Sequence, residues 1–196
     1  MTTIAFGSGA AAASAAEFHS EVAHTFVNAE MTAQIIFKSP AGGIGCKFTG
    51  GTGTLTALNT PEMTFTPKFK ENCGFVGKGG ASGEATVNLN GCDYIFEPEG
   101  QPMQINCPIG KAITFAASGL CMITIGSQTA EKVTYTNSGE KTGRQILAKA
   151  NLTKITSTAT GPQCAAIGTS TTGVYETTLT LFGGKEGGGN AGIWYS

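Results

Sequence analysis

Charge is what this sequence has least of. Only 13% of its 196 residues are charged, against roughly 25% in ordinary soluble domains, and aspartate occurs once, as Asp93. The twelve basic residues are scattered and the formal net charge is -1, so no basic stripe exists to neutralise a phosphate backbone, which argues against nucleic acid as a partner. Histidine is almost missing: His19 and His24 are the only two, and their odd spacing in an extended segment points them to opposite faces, which argues against a shared metal and makes both read as surface residues. No cysteine forms a C-x-x-C and none has a histidine nearby, so a zinc site, a dithiol redox site and a catalytic cysteine all lack support. No apolar run approaches the roughly eighteen residues a membrane-spanning helix needs. Helical periodicity is lacking too, apart from the Ala-rich leader.

What is abundant is glycine, threonine and an ordinary 40% of hydrophobic residues. Twenty-nine glycines mark turns and bulges, and 28 β-branched threonines favour a pleated, half-buried surface. Period-2 alternation recurs every eight to twelve residues between turn signals. Fourteen short strands result, among them Glu21–Val27, Thr32–Lys38, Gln145–Leu152, Ile155–Ala159 and Gly173–Phe182. That count exceeds a simple immunoglobulin-type sandwich. The expectation is an all-β, disulfide-stapled antiparallel β-sandwich with little or no helix, built either as one larger sandwich over 17–196 or as two stacked β-modules meeting near 126–129. Residues 1–16 read either as the end of a signal peptide, with Ala13-Ser14-Ala15 in the small-x-small cleavage pattern, or as a plain Ala/Gly/Ser leader.

The six cysteines, Cys46, Cys73, Cys92, Cys107, Cys121 and Cys164, are expected to pair. Folding Tyr94–Ile105 about its Pro/Gly turn sets Cys92 opposite Cys107, and folding the preceding segment at Asn59-Thr60-Pro61 sets Cys46 opposite Cys73, which leaves Cys121 for Cys164. Such bridges persist in oxidising compartments, so an extracellular or cell-surface location follows.

Candidate chemistry is sparse. Glu97 and Glu99 bracket Pro98 at a hairpin tip, a pattern compatible with glycoside hydrolysis or calcium but more ordinary in a solvated turn. Gly77-Lys78-Gly79-Gly80 lacks the Ser/Thr and helix of a phosphate loop, and Ser170 lies in a string that misses the nucleophile-elbow pattern. Asn151-Leu152-Thr153 is a formal glycosylation sequon. Trp194 and Tyr195 offer an aromatic pair for sugar stacking, or else for core or interface packing. No catalytic, cofactor-binding or metal-binding residue is assigned, and the chain is expected not to be an enzyme.

The strings Ala16-Glu17-Phe18-His19-Ser20-Glu21, Asn88-Leu89-Asn90-Gly91-Cys92-Asp93-Tyr94-Ile95-Phe96, Cys107-Pro108-Ile109-Gly110-Lys111, Cys121-Met122-Ile123-Thr124-Ile125 with Gln128, and Val133-Thr134-Tyr135-Thr136-Asn137 together resemble a group of uncharacterised exported proteins of actinobacteria. The resemblance implies a signal peptide, a similar cysteine order, a closing strand like Tyr175–Gly183 and a disulfide-bonded β-fold, and it carries over no functional residue. The functional expectation is a structural or adhesive subunit at the cell surface, a homo-oligomer or a filament or coat assembled by strand addition through the leader or Ile193–Tyr195. The alternatives are an extracellular module that binds surface polysaccharide and a virion decoration or fibre protein.

Overall fold

A computed structural model describes residues 16–31, 35–70, 73–77, 80, 82–98, 101–117, 119–164 and 166–196. Residues 1–15 of the leader, the 32–34 start of the expected Thr32–Lys38 strand, Lys78, Gly79 and Glu99 lie outside the described residues. The strands are β1 (Phe18–Ser20), β2 (Thr25–Met31), β3 (Ile35–Ser39), β4 (Gly42–Cys46), β5 (Phe48–Leu55), β6 (Asn59–Thr60), β7 (Met63–Phe69), β8 (Cys73–Gly77), β9 (Ser82–Asn88), β10 (Asp93–Phe96), β11 (Pro102–Asn106), β12 (Ile113–Ala117), β13 (Cys121–Ile125), β14 (Gln128–Ser138), β15 (Gln145–Thr160), β16 (Gly168–Gly184), β17 (Asn190–Ala191) and β18 (Ile193–Tyr195). One 3₁₀ turn, Lys141–Gly143, is the only helical element among the described residues. The all-β expectation holds, as do all three disulfides, Cys46–Cys73, Cys92–Cys107 and Cys121–Cys164.

The long hairpin β15–β16 organises the molecule. Near its open end β16 pairs with β2 and β15 with β14, while nearer its turn β16 pairs with β3 and β15 with β13. Following the hydrogen-bonded neighbours closes two antiparallel rings on this hairpin. The first runs β16-β2-β5-β7-β10-β11-β14-β15 and the second β15-β13-β12-β9-β8-β4-β3-β16. Closure removes the unpaired edges that an open sheet would expose. The chain passes back and forth between the rings, and Gly126–Ser127, between β13 and β14, is one such passage. A three-stranded sheet, β18-β1-β6, lies across the end of the first ring, and its inward Phe18 and Tyr195 pack against Tyr135 of that ring.

Alternation dictates which side chains enter each ring. In β15 the buried positions are Ile146, Ala148, Ala150 and Leu152, then Ile155, Ser157 and Ala159, so the phase slips by one across Thr153-Lys154. The sequence pattern therefore reads as two strands where the chain forms one bulged strand: the register shifts between Leu152 and Ile155, and Lys154 takes φ 58°. The Glu131 carboxylate accepts from both the N–H and the hydroxyl of Thr153, which ties the bulge down. Those bonds hold the carboxyl below its ordinary range, with a smaller contribution from nearby Lys154. In the other direction, Glu21–His24 forms a turn between β1 and β2 rather than the start of a strand.

Each ring has its own aromatic centre. Phe65, Phe96 and Tyr135 fill the first, and a stacked Phe37–Phe115 pair, ring centroids 5.6 Å apart, fills the second. Gly51 is required beneath Phe65, because a Cβ there would collide with the phenyl ring. Where the rings meet, Tyr94 and Tyr175 pack edge-to-face with centroids 6.0 Å apart.

Candidate functional site

The outer face of the first ring presents a regular lattice. Its strands are in register so that Phe26, Thr54, Thr64, Ile95, Gln104 and Thr129 form one cross-strand row. Asn28, Thr52, Thr66, Asp93 and Asn106 form the next. Strand spacing puts neighbours within a row about 4.8 Å apart, and the rows lie about 6.7 Å apart, two residues along each strand. Thr66 donates its hydroxyl to Asp93, which places the only aspartate of the chain inside the lattice. Phe26, 47% exposed, stands beside an open hollow lined by Thr52, Thr54, Thr56, Thr64 and Thr66.

The capping sheet carries a second cluster. On its outer side the pairings Asn59–His19 and His19–Trp194 set three side chains in a row. The His19 imidazole stacks on the Trp194 indole, centroids 5.3 Å apart and planes 9° from parallel, and the Arg144 guanidinium lies over the same indole at 4.8 Å. The β18 backbone runs between β1 and Arg144, whose carbonyl accepts from Ile193 N–H, so His19 and Arg144 flank Trp194. Asn59 Oδ1 lies 2.8 Å from His19 Nδ1, and Ser196 Oγ lies 2.7 Å from His19 Nε2. Ser196 is held in place by its backbone, which exchanges hydrogen bonds with Glu17 in both directions. Beside the cluster is a hollow lined by Asn137, Gly139, Arg144, Trp194, Tyr195 and Ser196.

Comparison with family models, curated proteins and solved structures finds no match to this chain. The site must therefore be read from its own geometry.

The remaining candidates separate. Trp194 faces outward and Tyr195 inward, only 8% exposed against Phe18 and Tyr135, so the two rings do not form one platform. His24 is exposed in a turn with φ 56°, away from His19's bonds. Glu97 accepts from Gln104 Nε2 at 2.7 Å, a tie across the hairpin. Ser170 bonds Thr172 locally, 3.0 Å between hydroxyls, and Asn151 is exposed on β15. Among the described residues no group of three or more His, Cys, Asp or Glu could hold a metal ion, and no helix is long and apolar enough to cross a membrane. Sequence reasoning missed the Asn59, His19 and Ser196 cluster, because its members are 40 and 177 residues apart and only the fold joins them.

Proposed function

We propose that this chain is an exported, disulfide-braced adhesive module that holds the lattice face of its first ring against a neutral surface polysaccharide. Export is supported by the three cross-links, which last only in an oxidising compartment. The observation that carries the binding reading is the register of Thr, Asn and Gln side chains on five strands of the wall, β2, β5, β7, β11 and β14, with Ile95 and Asp93 of β10 among them and exposed Phe26 at one end. A repeating array of neutral donors and acceptors suits a ligand that is itself repeating, uncharged and rich in hydroxyls, and an aromatic ring supplies the apolar contact that the C–H face of a sugar seeks. Asp93 is the only ionisable group within the two rows, so a strongly charged polymer has no counterpart there.

Strand addition is less well served by the fold. Ile193–Tyr195 already pairs with β1, and the other edge of β18 is filled by Asn137, whose amide donates to Tyr195 O at 2.6 Å and accepts from Tyr195 N at 2.8 Å. Contacts in an adhesive layer would then be made by faces rather than edges. The test is retention of the full chain on insoluble cellulose, chitin and cell-wall sacculi. The expected result is binding to at least one polymer that Phe26→Ala and Thr54→Lys each weaken at least tenfold. Binding unaffected by both changes, or no retention on any neutral polymer, would refute the assignment of this face.

A further inference from the structure

We propose that Ser196, His19 and Asn59 form an acyl-transfer site on the capping sheet, with the adjoining hollow as the place where a short ester is held. This goes beyond the adhesive reading and uses a different surface. The geometry has the order such chemistry needs: a hydroxyl on a base, and the base on an orienting group. An amide oxygen can only accept, so Asn59 Oδ1 fixes the proton of neutral His19 on Nδ1. Nε2 is then the free acceptor, and it faces the Ser196 hydroxyl at 2.7 Å. Two further contacts hold the imidazole and the nucleophile before substrate arrives: the indole of Trp194 stacked on His19, and the paired backbone bonds between Ser196 and Glu17. Arg144 is the cation lining the same hollow as Ser196, and neither ion pair among the described residues engages it. From the far face of the indole it gives the hollow a positive charge that draws in the polarised carbonyl of an ester.

The reaction balances with water alone. Ser196 Oγ attacks the ester carbonyl carbon while its proton passes to His19 Nε2. Collapse of the tetrahedral adduct breaks the bond to the alcohol oxygen, which takes that proton and leaves as an alcohol. Water then attacks the acyl-serine, His19 receives the water proton and returns it to Oγ, and a carboxylic acid departs. His19 and Ser196 are the catalytic residues, and Asn59 is a positioning residue.

The test treats the intact, oxidised chain with a fluorophosphonate and maps the adduct by mass spectrometry, alongside turnover of p-nitrophenyl acetate and butyrate. A phosphonyl adduct on Ser196 is expected, with ester turnover reduced about 100-fold in Ser196→Ala and in His19→Ala, at the lower end of what general-base catalysis contributes. Asn59→Leu should lower turnover about tenfold while Asn59→Asp, which keeps the acceptor, restores it; a cluster that only ties strands together would show no such rescue. The labelling arm needs no variant, so loss of folding in His19→Ala leaves it intact. Absence of an adduct on Ser196, or Ser196→Ala turnover equal to the parent's, would overturn the proposal, even if Ser196→Ala lowers the melting temperature.

Discussion

Replacing Tyr175 by Phe should make the protein more stable. Tyr175 is 7% exposed, sits at the seam of the two rings among Phe37, Ile113, Phe115 and Ile155, and its buried hydroxyl makes no well-aligned hydrogen bond. The Tyr94 hydroxyl is near enough for each phenol to feel the other, and burial pushes Tyr94 up to about 12 and Tyr175 well above the ordinary phenol range. An unsatisfied buried hydroxyl costs about 1–3 kcal/mol, and its removal forfeits only a few dispersion contacts in a space that holds no more than about one water molecule. The net expectation is a gain of about 1 kcal/mol, or about 2–4 °C in Tm for a chain of this size, measured by thermal and urea unfolding under non-reducing conditions. A second arm uses alkali. A buried phenol that titrates near 12 instead of 10 contributes about 3 kcal/mol that is fully present below pH 10 and is lost as pH rises through 12. The parent should therefore weaken steeply above pH 10, and Tyr175→Phe should weaken less, because one of the two neutral buried phenols is gone. Destabilisation of Tyr175→Phe by 1 kcal/mol or more at pH 7 would refute the reasoning, and would mean that the Tyr175 hydroxyl is hydrogen-bonded at the seam, to Tyr94 or to a water.

The disulfides close loops of 15, 27 and 43 residues, so Ser/Ser replacement of Cys92–Cys107, Cys46–Cys73 and Cys121–Cys164 should cost about 3, 3.6 and 4 kcal/mol in that order by urea titration. Six free thiols in freshly isolated material would remove the basis for all three. Gly51→Ala should cost at least about 2 kcal/mol in the same assay, since the new methyl meets the Phe65 ring, whereas Gly74→Ala, with open space around it, should cost less. Glu131 has its carboxyl lowered by Thr153, so it contributes stability above the unfolded carboxylate value, about pH 4.3, which is lost as pH falls through the lower folded value; Glu131→Gln should flatten that part of the acid-unfolding curve. Asn137→Ala frees the outer edge of β18, and concentration-dependent association by light scattering is the expected outcome.

Local physics made most strands and all three cross-links legible from residues alone. Cys92–Cys107 and Cys46–Cys73 follow from folding a segment at its turn, because a hairpin brings equidistant residues together. Alternation was equally informative where it held and misleading where a bulge reset it: Thr153-Lys154 reads as a break, yet the strand continues with Ile155 inward. The same alternation rule, applied to Ile193-Trp194-Tyr195, already separates the two aromatic rings onto opposite faces, so the pair was a weak platform from the start. Ring closure was not legible. It depends on pairings such as Phe26 with Gly184 and Lys38 with Val174, more than a hundred residues apart in the chain, and such contacts leave no periodic trace in either segment.

Closure also explains why the candidate sites are where they are. In an open sheet the backbone edge is the most reactive surface, and partners are recognised by hydrogen bonds that any strand can make. Here the β15–β16 hairpin supplies an edge to each ring and the ring supplies one back, so the backbone is consumed internally. What remains for recognition is side-chain chemistry fixed by register: the Thr/Asn lattice on the wall of the first ring and the Asn59, His19, Trp194 and Arg144 row on its cap. A body that offers rigid faces and few edges gains specificity from which residues share a row, and a one-residue slip would exchange every one of them for a core residue. The bulge tied by Glu131 holds that register on both rings at once, because it lies on a strand the rings share.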